Sequence, residues 1–117
     1  MGKVSHKEKS LEQRLKESTQ IREKYPDRIC IYIEKNKSCK TLFDLDKNKY
    51  LVPDTITVAQ IMSVIRSRIS IPKESALFFY INNHIISGNT SIITHYKNYK
   101  DPDGFLYIKY SGENAFG

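Results

Sequence analysis

The chain has 117 residues and a net charge of +6, with 39% hydrophobic and 27% charged residues. That length suits one domain, which buries roughly two-thirds of its surface without staples. The composition excludes a disordered chain, and no run is long and apolar enough to span a bilayer. The basic balance suits nucleic acid, anionic lipid or acidic peptide without choosing among them. Met1 to His6 carries no apolar signal core, and two cysteines nine apart support neither a zinc site nor a disulfide framework. A reducing, intracellular setting is expected. His6, His84 and His95 are scattered, and nothing points to a catalytic triad, a phosphate loop, a metal site or a cofactor.

Residues 3 to 9 are polar apart from Val4 and predict a short helix or an arm. Ser10-Leu11-Glu12-Gln13 has the form of a capping box and predicts a helix to about Lys24. Leu11, Leu15, Ile21 and Tyr25 form its thin apolar stripe, with Ser18 in the gap. Tyr25-Pro26 ends it, because the residue before a proline is pushed out of the α region. Arg28 to Lys35 is a strand whose apolar side chains do not alternate with polar ones, so both of its faces should be covered. Cys30 in it should be a small buried hydrophobe. Asn36 to Lys40 is a polar turn, in which Cys39 is expected to be exposed, and Leu42-Phe43 is a short apolar patch.

Asp44 to Pro53 begins with alternating charge and ends in the β-prone Tyr50-Leu51-Val52-Pro53. Pro53 cannot donate to a ladder, which predicts a short strand at a sheet edge or end. Such an edge either resists pairing or accepts a guest strand by backbone hydrogen bonds, with pockets for alternate side chains. Thr57-Val58-Ala59-Gln60 is a second capping box, and Val58, Ile61, Met62, Ile65 and Ile69 follow helical spacing. Ala76 to Ile81 is a buried strand, Asn82-Asn83 a tight turn tolerant of positive φ, and His84-Ile85-Ile86 its answering arm. Ile92 to Tyr99 allows one helical turn. Asp101-Pro102-Asp103-Gly104 is a turn, Phe105 to Tyr110 the last strand, and 111–117 a mobile tail. The order predicts an α+β fold, a ubiquitin-like β-grasp in which a mixed four-stranded sheet is crossed by a helix, with two additional N-terminal helices. The expected parts of this single domain are an N-terminal helical extension (1–26), the β-grasp core (27–110) and a flexible C-terminal tail (111–117).

Five pieces in order carry a resemblance across nearly the whole chain. They are Ile21-Arg22-Glu23-Lys24-Tyr25-Pro26-Asp27-Arg28, Asp44-Leu45-Asp46-Lys47 to Pro53, Ala76-Leu77-Phe78-Phe79, Phe105-Leu106-Tyr107-Ile108 and the final Phe116-Gly117. The chain resembles the ubiquitin-like autophagy modifiers, the family of GABA-receptor-associated protein and its light-chain relatives. The resemblance implies a protein that is a substrate of enzymes and not one itself. Gly117 would be activated as an adenylate, passed through thioesters on activating and conjugating enzymes, and joined to phosphatidylethanolamine. A cysteine protease would process or delipidate it. The free form would be cytoplasmic and the lipidated form bound to autophagosome-type membrane.

The resemblance also implies that cargo receptors add short motifs, an aromatic residue followed three positions later by an aliphatic one, to the edge strand at Lys49, Tyr50 and Leu51. The aromatic pocket would be lined by Glu17, Ile21, Cys30, Tyr32, Leu51 and Phe105. The aliphatic pocket would be lined by Tyr50, Val52, Pro53, Ile56, Ile61 and Val64. Arg28, Lys47, Lys49 and Arg68 would attract acidic flanks. The chain departs from the family pattern at Cys30, where relatives commonly have proline, and at Tyr32, where they have an aliphatic residue. Ile61 and Val64 replace larger side chains, and the turn from Ser38 to Phe43 is one residue longer than in the receptor-associated branch. Two other readings of the residues are a non-conjugated ubiquitin-like adaptor and a basic nucleic-acid-binding domain. Against the second, Glu8, Glu12, Glu17, Glu23 and Asp27 interleave with the N-terminal cations, so no nucleic-acid partner is expected.

Overall fold

The computed structural model describes residues 5–113. A 3-10 turn, His6–Glu8, leads into α1 (Leu11–Lys24). Then come β1 (Arg28–Lys35), β2 (Lys49–Pro53), α2 (Val58–Arg68), β3 (Phe78–Ile81), β4 (His84–Ile86), α3 (Ile92–Tyr99) and β5 (Leu106–Ser111). Both capping boxes close. Gln13 N donates to Ser10 Oγ at 3.1 Å and Ser10 N to Gln13 Oε1 at 2.9 Å, and Thr57 and Gln60 repeat the exchange at the start of α2. Asn82 and Asn83 take φ values of 49° and 66°, the left-handed pair that a two-residue hairpin turn needs.

The sheet order is β2-β1-β5-β3-β4. It has five strands where four were expected, because the hairpin arm His84–Ile86 pairs with β3 through Phe79–Ile86 to Ile81–His84. β1 and β5 are parallel, with Ile31 opposite Leu106 and Lys35 opposite Tyr110, and the other pairs are antiparallel. Ile29, Ile31 and Ile33 point to one face and join Val58, Ile61 and Ile65 of α2, Phe79, Leu106, Ile108 and Tyr110 in the main core. Cys30 and Tyr32 point to the other face and join Phe105 in a second, smaller cluster. The doubly covered strand is therefore real, with α2 on one face and α1 on the other.

α1 docks by only part of its apolar stripe. Leu11, Leu15 and Tyr25 are more than two-fifths exposed, whereas Ser18 is buried. Ser18 Oγ donates to Asp103 O at 2.6 Å, and Arg14 Nε reaches the Asp103 carboxylate at 2.9 Å. The helix is held by polar contacts to the turn before β5, and of the stripe only Ile21 packs inward, on the Cys30–Tyr32–Phe105 cluster. Two further expectations fail nearby. Cys39 is buried rather than exposed. Burial alone would push its thiol up, but the amides of Gly112, Thr41 and Leu42 and the Ser111 hydroxyl outweigh that and hold it down at about 7. Ser111, expected to open a mobile tail, instead closes β5 and is buried, and Glu113 O accepts the Tyr80 hydroxyl at 3.0 Å, while 114–117 lie outside the described residues. α3 is a full eight-residue helix, longer than the single turn allowed for it.

Candidate functional site

Among the described residues β2 is an edge strand that pairs only with β1. Its side chains alternate between the two faces of the sheet. Leu51 lies opposite Cys30 and packs, with Ile21 of α1, on the Cys30–Tyr32–Phe105 cluster. Tyr50 and Val52 point the other way and pack on the main core with Ile56. One short strand therefore borders two apolar regions, one beneath α1 and one beside α2. Backbone groups alternate as well. Ile33 N donates to Asn48 O at 2.8 Å, which sets the even-numbered residues of this segment toward β1 and leaves Lys49 and Leu51 facing outward. Tyr50, between them, is turned to its partner Ile31.

Of the residues expected around an aromatic guest, Ile21, Cys30, Tyr32, Leu51 and Phe105 form one cluster. Glu17 stands at its rim, holding Lys49 at 2.9 Å and Lys9 at 3.0 Å. Burial raises the Glu17 pKa, but these two ammonium groups outweigh it and bring the carboxyl below its usual range. Burial pushes the Cys30 thiol up, which suits a packing role. Around the aliphatic side, Tyr50, Val52, Ile56 and Ile61 meet in the main core, with Ile61 only 3% exposed. Pro53 is exposed. Val64 is 44% exposed and lines a shallow outer groove with Gln60, Ser63, Ser67 and Arg68.

The expected cations are not equally free. Lys49 is tied to Glu17, and Arg68 reaches Asp46 at 3.3 Å. Arg68 and Lys47 also lie over the Tyr50 ring, at 5.7 and 5.3 Å from its centroid. Arg28 opens β1 opposite Pro53. Gly117 lies outside the described residues.

Nothing in the sequence pattern indicated what covers Tyr32. The His6 ring stacks on it at 4.7 Å and 20°, and meets Phe105 edge-on, also at 4.7 Å. His6 Nε2 is 2.8 Å from the Tyr107 hydroxyl, which in turn donates to Asp103. Asp103 is fully buried, and burial alone would raise its pKa. The Tyr107 hydroxyl, the Phe105 amide and Arg14 outweigh that and hold its carboxylate below the usual 3.8. Burial, Lys49 and Arg14 together lower the His6 pKa against the pull of Asp103 and Glu17. His6 and Tyr107 are 101 positions apart, a distance no local pattern spans. The turn chemistry of Asp101 to Gly104 was the only trace of this network in the sequence.

The family model described as "Autophagy protein Atg8 ubiquitin like" matches residues 13–117. Autophagy-related protein 8a of Arabidopsis thaliana is 46% identical over 118 residues, covering 100% of this chain and 96% of that protein. Autophagy-related protein 8d of the same plant is 44% identical over 110 residues, 94% of this chain and 91% of that one. The crystal structure of Trypanosoma brucei ATG8 superimposes with a TM-score of 0.86 at 41% identity, covering 98% of this chain and 100% of that one.

Proposed function

This chain belongs to the Atg8 family of ubiquitin-like autophagy proteins, and on that premise we propose that it is a modifier conjugated through Gly117 to phosphatidylethanolamine and read by short linear motifs. The observation that carries the motif half is the β2 edge, open on one side and apolar on both faces. A guest in extended conformation pairs with the outward backbone groups of Lys49 and Leu51. Its aromatic side chain enters beneath α1, against Ile21, Leu51 and Phe105. Its aliphatic side chain, three positions on, lies beside α2 against Val52, Ile56 and Val64. An acidic flank exchanges with Glu17 for Lys49 or with Asp46 for Arg68, so part of its Coulombic gain offsets an existing ion pair. Lys47 and Arg28 contribute without that exchange.

Family membership over residues 13–117 supports the conjugation half. The protein is the carboxyl substrate of activating and conjugating enzymes, and a cysteine protease reverses or prepares the linkage. Glycine at the reacting position puts no side chain in the way of a narrow active site. The free protein is cytoplasmic, and the conjugate sits on autophagosome-type membrane with cargo receptors bound. The test is reconstitution with those enzymes, ATP and phosphatidylethanolamine vesicles, read by intact mass. A lipid-sized gain that Gly117→Ala abolishes is expected. No gain, with the enzymes active on a relative, leaves a motif-binding adaptor that is never conjugated.

A further inference from the structure

The parallel pairing of β1 with β5 has a geometric consequence at one end of the sheet. Both strands run the same way, so both leave at the same end, with Lys35 beside Tyr110. The chain after β1 becomes the loop to β2, and the chain after β5 becomes the C-terminal segment. The two are tied together where they emerge. Asn36 N donates to Tyr110 O at 2.8 Å, and the Tyr110 hydroxyl donates to Phe43 O. Gly112 is packed so closely on the loop that a Cβ there would meet Thr41 Oγ1 at 2.7 Å and Leu42 Cγ at 3.1 Å.

Within this loop Leu42 packs on the core, whereas Phe43 is 75% exposed, the largest exposure among the exposed large hydrophobic residues of the described chain. Its backbone is held inward by Tyr110 while its ring is turned out. Residues 36–43 include Lys37 and Lys40, both exposed, and no carboxylate. Two exposed carboxylates follow, Asp44 3.8 Å from Lys35 and Asp46 3.3 Å from Arg68, so each has a cation beside it. A projecting aromatic ring with two exposed lysines on the loop before it fits the boundary between headgroups and acyl chains of a bilayer. Gly117 follows Glu113 by four positions. Fully extended, that length of chain reaches at most about 14 Å.

We propose that the β1–β2 loop docks on the bilayer that carries the Gly117-linked lipid, with Phe43 entering the headgroup–acyl boundary and Lys37 and Lys40 on anionic headgroups around it. The inference rests on the conjugation reading for which residue meets the membrane. What it adds is a second contact, which fixes how the domain is oriented and keeps the β2 edge available above the surface. A lipid at Gly117 alone would leave the domain free to swing on its tether.

The chain has no tryptophan, so Phe43→Trp introduces a single reporter. Tyr99→Trp, an exposed position on α3 at the end of the sheet where β5 begins, serves as its control. Each is combined with Gly117→Cys and coupled to a maleimide phosphatidylethanolamine in vesicles of phosphatidylcholine and phosphatidylserine. Cys39, whose thiol is held down at about 7, is replaced by Ala in every variant, and Cys30 is 2% exposed with its thiol pushed up, so the introduced thiol reacts selectively. Upon coupling, indole emission from position 43 should shift to the blue and be quenched by acyl-brominated phosphatidylcholine, while emission from position 99 stays unchanged. Lys37→Glu with Lys40→Glu should reduce the response at position 43. An unshifted, unquenched reporter at position 43 on tethered protein overturns the proposal, as does equal quenching at both positions. Chemical coupling makes this decision independent of enzymatic conjugation, whose failure would count against the conjugation reading alone.

Discussion

Gly104 takes φ +84°, and a Cβ on it would meet Ser18 Oγ at 2.2 Å and Ser18 Cβ at 2.9 Å. Two penalties coincide, a left-handed backbone and a collision at the point where α1 is fastened. Gly104→Ala should lose about 2–3 kcal/mol, measured by urea unfolding. His6 presents a different residue-scale case. Its pKa in the folded protein lies below the ordinary 6.5. The unfolded chain therefore binds the proton first as pH falls. The stability His6 contributes is complete above the ordinary value and is lost as pH drops through the lower folded one. His95 is also lowered by burial, so the measurement belongs in a His95→Gln background. Loss of the His6–Tyr32 stacking, followed by proton NMR, should track His6 titration, and His6→Phe should remove that pH dependence. An unchanged Tyr32 environment across the titration would count against it.

At the scale of elements, α1 and β2 show how a weak pattern and a strong one differ in what they foretell. The apolar stripe of α1 was thin and docks only through Ile21, and the helix settles mainly by Arg14 and Ser18 on Asp103. Arg14→Ala leaves a fully buried carboxylate with only the Tyr107 hydroxyl and the Phe105 amide. Its unfolding midpoint in urea should fall well below that of Lys7→Ala, which breaks only an ion pair between Lys7 and Glu34 with its lysine half-exposed. Asp103 and Glu17 both titrate below their ordinary values, so their contributions are present at neutral pH and lost only in acid. For β2, a peptide with an acidic-flanked aromatic-x-x-aliphatic motif should bind more weakly as salt rises, and a neutral-flanked peptide much less so, in calorimetric titration. Leu51→Arg should weaken both peptides, because it removes an apolar wall rather than a charge.

For the molecule as a whole, the two sides of the sheet are unequal. The α2 face holds the larger core, with Ile31, Ile33, Ile65, Phe79, Leu106 and Tyr110 showing essentially no exposed surface. The α1 face has the three-residue cluster of Cys30, Tyr32 and Phe105 plus a polar network. Burial drives folding in proportion to apolar area. The α1 layer should therefore open before the rest, as a sub-global unit. Native-state hydrogen exchange should give the α1 amides a lower opening free energy than those of β1 and β5. Equal values for both would mean that the polar network binds as tightly as the core. The same asymmetry places His6 on the weaker side, where its protonation meets the least resistance from packing.

Local signals determined the elements of this protein. Capping boxes, an Asn-Asn turn and the unalternating Ile-Cys-Ile-Tyr-Ile run are each written within a few residues, because helix ends and strand faces are set by neighbours in the chain. The family pattern was legible too, since its pieces keep their order along the chain. Tertiary structure decided what depends on distant residues meeting. Placing β1 beside β5 brought His6 to Tyr107 and the loop at Phe43 to the base of the tail. It buried Cys39, which a polar turn had suggested was exposed, and it left Leu11 and Leu15 in solvent. Polarity along a chain records what a segment prefers. Burial records what the rest of the molecule places against it. For His6, Ser18 and Phe43, the partners Tyr107, Asp103 and Tyr110 lie between 67 and 101 positions away.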